Sequence, residues 1–215
     1  MKWRKSLLID YLFLDKNTCT FCQSEYIYKY GLCRDCFDKL DFVDNKFLIG
    51  DYDCYSIYFY NEFFKRLIGL YKFERKTEFS KIFSKMIYDY GIEKNIFDVD
   101  YILPAPSSRK TLLHRGFDHI RMITDDFIEK IGPVYLDGFS KVKDTKAQHD
   151  LGKEERSKNL IGAFKFDKDL TGKSVLIIDD LVTTGNTSLE IIKVLGKANV
   201  KDIKILALAS ERRVL

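Results

Sequence analysis

Four cysteines near the N-terminus are the first residues whose spacing suggests chemistry. Cys19-Thr20-Phe21-Cys22 is followed by ten residues and then by Cys33-Arg34-Asp35-Cys36. Each Cys-x-x-Cys knuckle can present two thiolates to one ion, and two knuckles complete a tetrahedral set of four sulfurs. The spacer is shorter than the roughly 15–20 residues usual between such pairs. Redox pairs of the thioredoxin type come singly and beside a βαβ unit, so structural zinc held by Cys19, Cys22, Cys33 and Cys36 is the expectation. With all four positions filled by protein, no coordination site is left open for catalysis. Cys54 lies outside the set and is expected in the core.

A second constellation lies near the C-terminus, in Val175-Leu176-Ile177-Ile178-Asp179-Asp180-Leu181-Val182-Thr183-Thr184-Gly185-Asn186-Thr187. An apolar strand delivers two adjacent carboxylates, Asp179 and Asp180, to the carboxyl edge of a parallel sheet, where open α/β sheets bind ligands. The turn Thr183, Thr184, Gly185, Asn186 and Thr187 offers hydroxyls and backbone N–H groups at a helix start, which suits a phosphate. Acids beside such a turn can accept hydrogen bonds from sugar hydroxyls, or hold Mg2+ through water. A phosphorylated sugar fits both halves. Gly172-Lys173-Ser174 looks like the tail of a Walker-type nucleotide loop, but Asp167 stands where the leading Gly belongs and the tripeptide precedes its strand.

This string resembles the phosphoribosyl-pyrophosphate (PRPP) signature of type I phosphoribosyltransferases. Leu103-Pro104-Ala105-Pro106, then Arg109, Lys110 and Arg115-Gly116-Phe117-Asp118-His119, is similar to a segment of the ComF family. So is Thr145 to Phe164, with Gln148, Arg156, Asn159 and Gly162-Ala163-Phe164; the cysteine knuckles are a trait of the same family. Asp118 stands where that family usually has Asn. The resemblance implies that Asp179 and Asp180 are catalytic, contacting the ribose hydroxyls and Mg2+. It implies that Thr183 to Thr187 hold the 5-phosphate, and that Ser107, Arg109 and Lys110 face the pyrophosphate. The polar stretch 139–160 falls where this fold carries a loop that closes over the sugar.

The elements that must position these residues alternate. Asp53 to Tyr60 reads as a strand, and Phe63, Phe64, Leu67, Ile68, Tyr71 and Phe79, Ile82, Phe83, Met86, Ile87 as two helical faces. The turn from Lys72 to Lys76 is expected to be exposed. A strand Val99–Leu103, a helix from about 112 to 131, strands at 134–136 and 159–166, the strand 173–180, a helix 187–197 and a strand 203–209 complete the pattern. The fold class expected is α/β, a type I phosphoribosyltransferase-like, mostly parallel sheet flanked by helices. A small zinc module is expected over 1–45 and the sheet domain over 46–215. Aromatics from Tyr52 to Phe83 fit a core better than a base-stacking surface.

Hydrophobic residues are 46% of the 215 and charged residues 32%, which excludes disordered and low-complexity classes. A net charge of +4 neither demands nor excludes a polyanionic partner. No apolar run reaches the roughly 20 residues that span a bilayer. The opening Met1 to Ile9 starts like a signal peptide but is cut by Asp10, so a cytoplasmic location without membrane insertion is expected.

Three functions are compatible with the resemblance. One is a DNA-uptake protein of natural transformation, handling internalised single-stranded DNA beside a DNA-uptake helicase. Another is a transferase passing ribose 5-phosphate from PRPP to an unknown acceptor. The third is a PRPP sensor without turnover. No base-recognition motif supports a salvage enzyme. A candidate DNA face combines Lys29, Arg34, Lys65, Arg66, Lys72, Arg75 and Lys76.

Overall fold

The computed structural model describes residues 18–24, 26–143 and 160–212. The expected closing loop, with Gln148, Arg156 and Asn159, lies largely outside the described residues, as does the opening segment. Strands are β1 (Phe42–Ile49), β2 (Tyr52–Phe59), β3 (Tyr101–Pro104), β4 (Val134–Tyr135), β5 (Ser140–Lys141), β6 (Phe164–Lys165), β7 (Ser174–Val182) and β8 (Asp202–Ser210). Helices are α1 (Arg34–Phe37), α2 (Glu62–Lys72), α3 (Phe79–Glu93), α4 (Arg109–Arg115), α5 (His119–Asp125) and α6 (Asn186–Lys197).

Six strands form one sheet in the order β1-β2-β8-β7-β3-β4. Every pairing is parallel except the β1–β2 hairpin at the edge. From β3 the chain crosses outward to β4, and from β7 it crosses the opposite way to β8. The order therefore reverses between β3 and β7, and a crevice opens at their carboxyl ends. β7 is central because it can be: Val175, Leu176, Ile177 and Ile178 are all fully buried. Burying each such side chain contributes about 1.5–3 kcal/mol.

The strand period sorts these side chains onto two faces. Leu176 and Ile178 join a core with Phe64, Tyr71, Phe79, Phe83, Ile87 and Ile120 from α2, α3 and α5. Val175 and Ile177 join a second core with Ile191 and Leu195 of α6 and Phe164 of the β5–β6 pair. The aromatic series from Tyr52 onward is thus mostly core, with Tyr71 and Phe83 ring centroids 5.6 Å apart. Cys54 is fully buried among the α6-side residues.

The structure redraws two expected elements and adds an edge strand. The helix expected over 112–131 is split into α4 and α5. Gly116, at φ +89°, ends α4 in a left-handed cap, and the Asp118 carboxylate starts α5 by accepting from Arg121 N–H. The strand expected over 159–166 shrinks to Phe164–Lys165, because Gly162 turns the chain at φ +63°. β1 lacked a sequence signal, since an edge strand with Asp44, Asn45 and Lys46 in its middle has no clean alternation. Position 45/46 falls inside β1, and Cys19, Leu32, Cys33, Cys36 and Leu40 share the core of α2 and α3. Among the described residues no helix is long and apolar enough to cross a membrane.

Candidate metal centre and ligand-binding edge

The cysteine knuckles fold by local backbone bonds. Gln23 N–H donates to the Cys19 carbonyl and Cys19 N–H to the Ser24 carbonyl, curling the first knuckle. Leu32 and Lys29 pair with each other, and α1 opens directly after Cys33. The four Sγ atoms lie within 4.8 Å of one another, and those of Cys22 and Cys33 are 3.6 Å apart. Sulfurs at about 2.3 Å from a tetrahedral zinc stand about 3.8 Å apart, so this donor set fits one ion. Hydrogen bonds from the Ser24 hydroxyl and amide draw the Cys22 thiol down to about 6, towards the thiolate a metal requires. Burial pushes the Cys36 thiol up, so the set needs the ion's charge to be fully deprotonated.

The second site sits at the sheet's switch point. Pro104 of β3 lies opposite Ile178 of β7, and Ala105 N–H donates to the Ile178 carbonyl. Asp179 and Asp180 follow immediately. Beyond them the chain turns through Thr183 and Thr184 into α6. Gly185 takes φ +80°, and a Cβ there would come within 3.2 Å of Ile49 Cδ1, so the turn needs glycine in both conformation and space. The N-cap Gly185 has no side chain to cap α6, and the Thr184 hydroxyl accepts from Asn186 N–H at 3.5 Å, so hydroxyl and amides gather at the helix start. Asp179, Thr183, Gly185, Asn186 and Thr187 line a shallow indentation open to solvent. The sequence-predicted phosphate turn and one acidic residue are thus brought together.

Asp180 is 4% exposed and faces elsewhere. Its Oδ2 forms an ion pair with Lys72 Nζ of α2, and His119 Nε2 of α5 stands 3.7 Å away. No hydrogen bond of good geometry reaches that oxygen, so its charge is met by these two groups. His119 Nδ1 lies 2.6 Å from Arg115 Nη1 and 3.4 Å from Ser107 Oγ. A guanidinium can only donate, so Nδ1 accepts and the Nε2–H points at Asp180. Burial, helped by Lys72 and Arg115 and opposed by Asp180, lowers His119 and keeps it neutral.

The adjacent acids are driven apart. Removal from water, then the Asp180 charge, pushes Asp179 well above the usual carboxylate range. Burial would do the same to Asp180, but Lys72 and His119 outweigh it and hold Asp180 well below that range.

Lys72, Arg115 and His119 were missed in this role. Lys72 was expected in an exposed turn on the DNA face; instead it reaches the acidic pair, because α2 continues to Lys72 and aims it under the sheet edge. No sequence signal identified it, whereas the Arg115 to His119 string was at hand. Of the pyrophosphate-side residues, Ser107 reaches this group, while Arg109 and Lys110 are exposed at the start of α4. The remaining DNA-face cations are largely engaged locally. Arg34 pairs with Asp38 and lies over Tyr28, Lys65 pairs with Glu62, Arg66 with Glu74, and Arg75 donates to the His114 carbonyl. Lys29 lies over the Tyr30 ring.

Comparison with known proteins agrees with this architecture. Residues 123–213 match the model of the phosphoribosyl transferase domain. Competence protein F of Haemophilus influenzae is 26% identical over 200 residues, covering 89% of this chain and 83% of that protein. Competence protein ComFC of Streptococcus pneumoniae is 27% identical, covering 71% of this chain and 66% of that one. DNA utilization protein YhgH of Salmonella typhimurium is 24% identical, covering 65% and 63%. Among solved structures, a purine phosphoribosyltransferase from Pyrococcus horikoshii aligns over 62% of this chain and 77% of its own, with 18% identity and a TM-score of 0.35. The chain is a homologue of the proteins named Competence protein F, ComFC and YhgH, with a type I phosphoribosyltransferase-like fold and an N-terminal four-cysteine cluster that can hold a metal.

Proposed function

We propose that this protein binds PRPP, or a related ribose 5-phosphate, at the β7–α6 edge and serves the handling of internalised single-stranded DNA during DNA uptake. The observation that carries the DNA role is the similarity to Competence protein F across 89% of the chain. The ligand reading rests on the geometry of the edge. The start of α6 and the Thr183–Thr187 turn receive the 5-phosphate. The Asp179 carboxylate accepts from ribose hydroxyls and, with Mg2+ present, holds the ion through water. Ser107, Arg109 and Lys110 stand on the β3 side, where a pyrophosphate leaves the crevice. Zinc at Cys19, Cys22, Cys33 and Cys36 is structural, and the protein works in the cytoplasm beside a DNA-uptake helicase.

Calorimetry with PRPP and Mg2+ tests the ligand half. Binding to the unmodified protein, weakened at least about tenfold in Asp179→Ala, supports it, and no heat in the unmodified protein overturns it. The DNA half is tested by anisotropy with labelled single-stranded DNA. Affinity should fall with salt at a log–log slope of about −0.7 per phosphate neutralised, and Arg75→Glu/Lys76→Glu should weaken it.

A transferase reading is favoured by one arrangement, the cations Arg109, Lys110 and Arg115 following β3. Cations fixed there stabilise a departing pyrophosphate better than they stabilise the intact ligand. Pyrophosphate release from PRPP in the presence of a nucleobase would select it.

A further inference from the structure

Neighbouring residues on a strand point to opposite faces of a sheet, so two consecutive acids cannot both face one ligand unless the strand twists to allow it. On β7 the alternation is kept up to the acids: Leu176 and Ile178 belong to the core under α2 and α5, Val175 and Ile177 to the core under α6. Asp179 continues the α6 series and lines the indentation beside the phosphate turn. Asp180 continues the other series, is 4% exposed, and is not part of that lining. Two groups close around it: the Lys72 ammonium from α2, whose side chain is 17% exposed, and the His119 Nε2–H from α5. Arg115 fixes the His119 ring from behind.

The geometry points to a divided acidic pair. Asp179 is the carboxylate presented to the ribose and to any divalent cation, while Lys72, with His119, is the built-in counter-charge that keeps Asp180 on the opposite face. This rests on the ligand reading above. It assigns the counter-charge of the pair to a residue from α2, outside the matched segment 123–213. The physical reason for the division is charge. Two carboxylates side by side repel, and giving one of them a fixed internal cation offsets part of that repulsion on the other, which accepts from ligand hydroxyls. The Asp180 main chain is also tied to the pair, because its N–H donates to Asp179 Oδ1 at 2.9 Å.

The test compares two variants of the full chain with two probes, ribose 5-phosphate plus Mg2+ by calorimetry, and Mn2+ alone by electron paramagnetic resonance. Asp179→Asn should weaken both probes at least about tenfold. The charge-balanced Lys72→Met/Asp180→Asn should weaken each by no more than about threefold. Equal losses in the two variants, each shown to be folded by circular dichroism, overturn the division. If the double variant does not fold, the unmodified protein decides. Acetylation of Lys72 by acetic anhydride, read by mass spectrometry, should change by less than about twofold on saturation with Mn2+, because Lys72 stays on Asp180. A rise of about fivefold or more shows Lys72 released as Asp180 turns to the ion, and overturns it. Absence of ribose 5-phosphate binding in the unmodified protein sinks the ligand reading alone, and the Mn2+ arm still decides the division.

Discussion

The cysteine cluster and the acidic edge both gather groups that repel one another, and they do so by different routes. The cluster draws its four sulfurs from one stretch of 18 positions, Cys19 to Cys36, held by backbone hydrogen bonds within that stretch. The edge draws Lys72 from α2, Arg115 from α4, His119 from α5 and the two acids from β7, residues more than a hundred positions apart. Repulsion in the cluster is relieved by an ion the protein takes up, and at the edge by cations the chain supplies itself. A site built locally needs an external charge to finish it. A site built by the fold can carry its own.

The sharpest way to break this contrast is to remove one sulfur. Cys33→Ser should abolish stoichiometric zinc by metal analysis and cost several kcal/mol, on the order expected for a structural ion whose binding is part of folding. Because Cys19, Cys33 and Cys36 pack in the same core as Phe64 and Phe83, the loss should reach the sheet. A single, lowered thermal transition is expected. Two separated transitions would show that the knuckles fold as a unit of their own, as the expected division at 45/46 implies. Chelator treatment of the unmodified protein should give the same lowering, reversed by added zinc.

The next largest effect belongs to the edge. Gly185→Ala places a side chain at φ +80° and pushes against Ile49. The left-handed backbone alone costs about 1–2 kcal/mol. PRPP affinity should fall with it, because the strain sits on the turn that receives the phosphate. A variant as stable as the unmodified protein with unchanged affinity would mean that the turn is not held in this conformation.

How much of each region was legible in the sequence follows from the same contrast. The knuckles were readable because ligand chemistry and spacing lie in one window. β7 and the turn after it were readable because an apolar run, two acids and a Thr/Gly turn are contiguous. Lys72 was not: its neighbours Phe73, Glu74, Arg75 and Lys76 are exposed, and its role exists only once α2 lies beside β7. The role of His119 was not legible either, because nothing local marks a histidine that faces an acid 61 positions on. The single helix expected over 112–131 failed for the opposite reason. Its apolar period continues through the break, while the cap residues Gly116 and Asp118 carry the true boundary.

That boundary gives a smaller test. Asp118→Ala removes the acceptor for Arg121 N–H and should cost about 1 kcal/mol, whereas Asp118→Asn, an equally good cap, should be nearly neutral. The measurement is denaturant unfolding of both variants. Since α5 carries His119, the Ala variant should also loosen the contact with Asp180. Equal stability in the two variants would remove the cap from the account of how the edge is positioned.

The smallest effect concerns how β3 and β7 are fastened at the end opposite the site. The Asp100 carboxylate accepts from Ser174 N–H at 2.8 Å, from the Ser174 hydroxyl at 2.9 Å and from Lys173 Nζ at 3.1 Å. The Ser174 amide and hydroxyl, then Lys173, hold Asp100 down at about 2. A carboxylate whose folded value lies below its unfolded value, about 3.9, binds fewer protons when folded at intermediate pH. Its contribution is therefore complete above about pH 4 and is lost as the pH falls from about 4 to about 2. Asp100→Asn keeps an acceptor for the Ser174 amide and removes the titration. Its acid-unfolding curve should be flatter than that of the unmodified protein across that window and slightly lower above it. Because Asp100 is only part-buried, the difference should be small and should shrink further in high salt. Parallel curves through the window would place the acid sensitivity elsewhere, on groups such as Asp180 whose charge is met inside the fold.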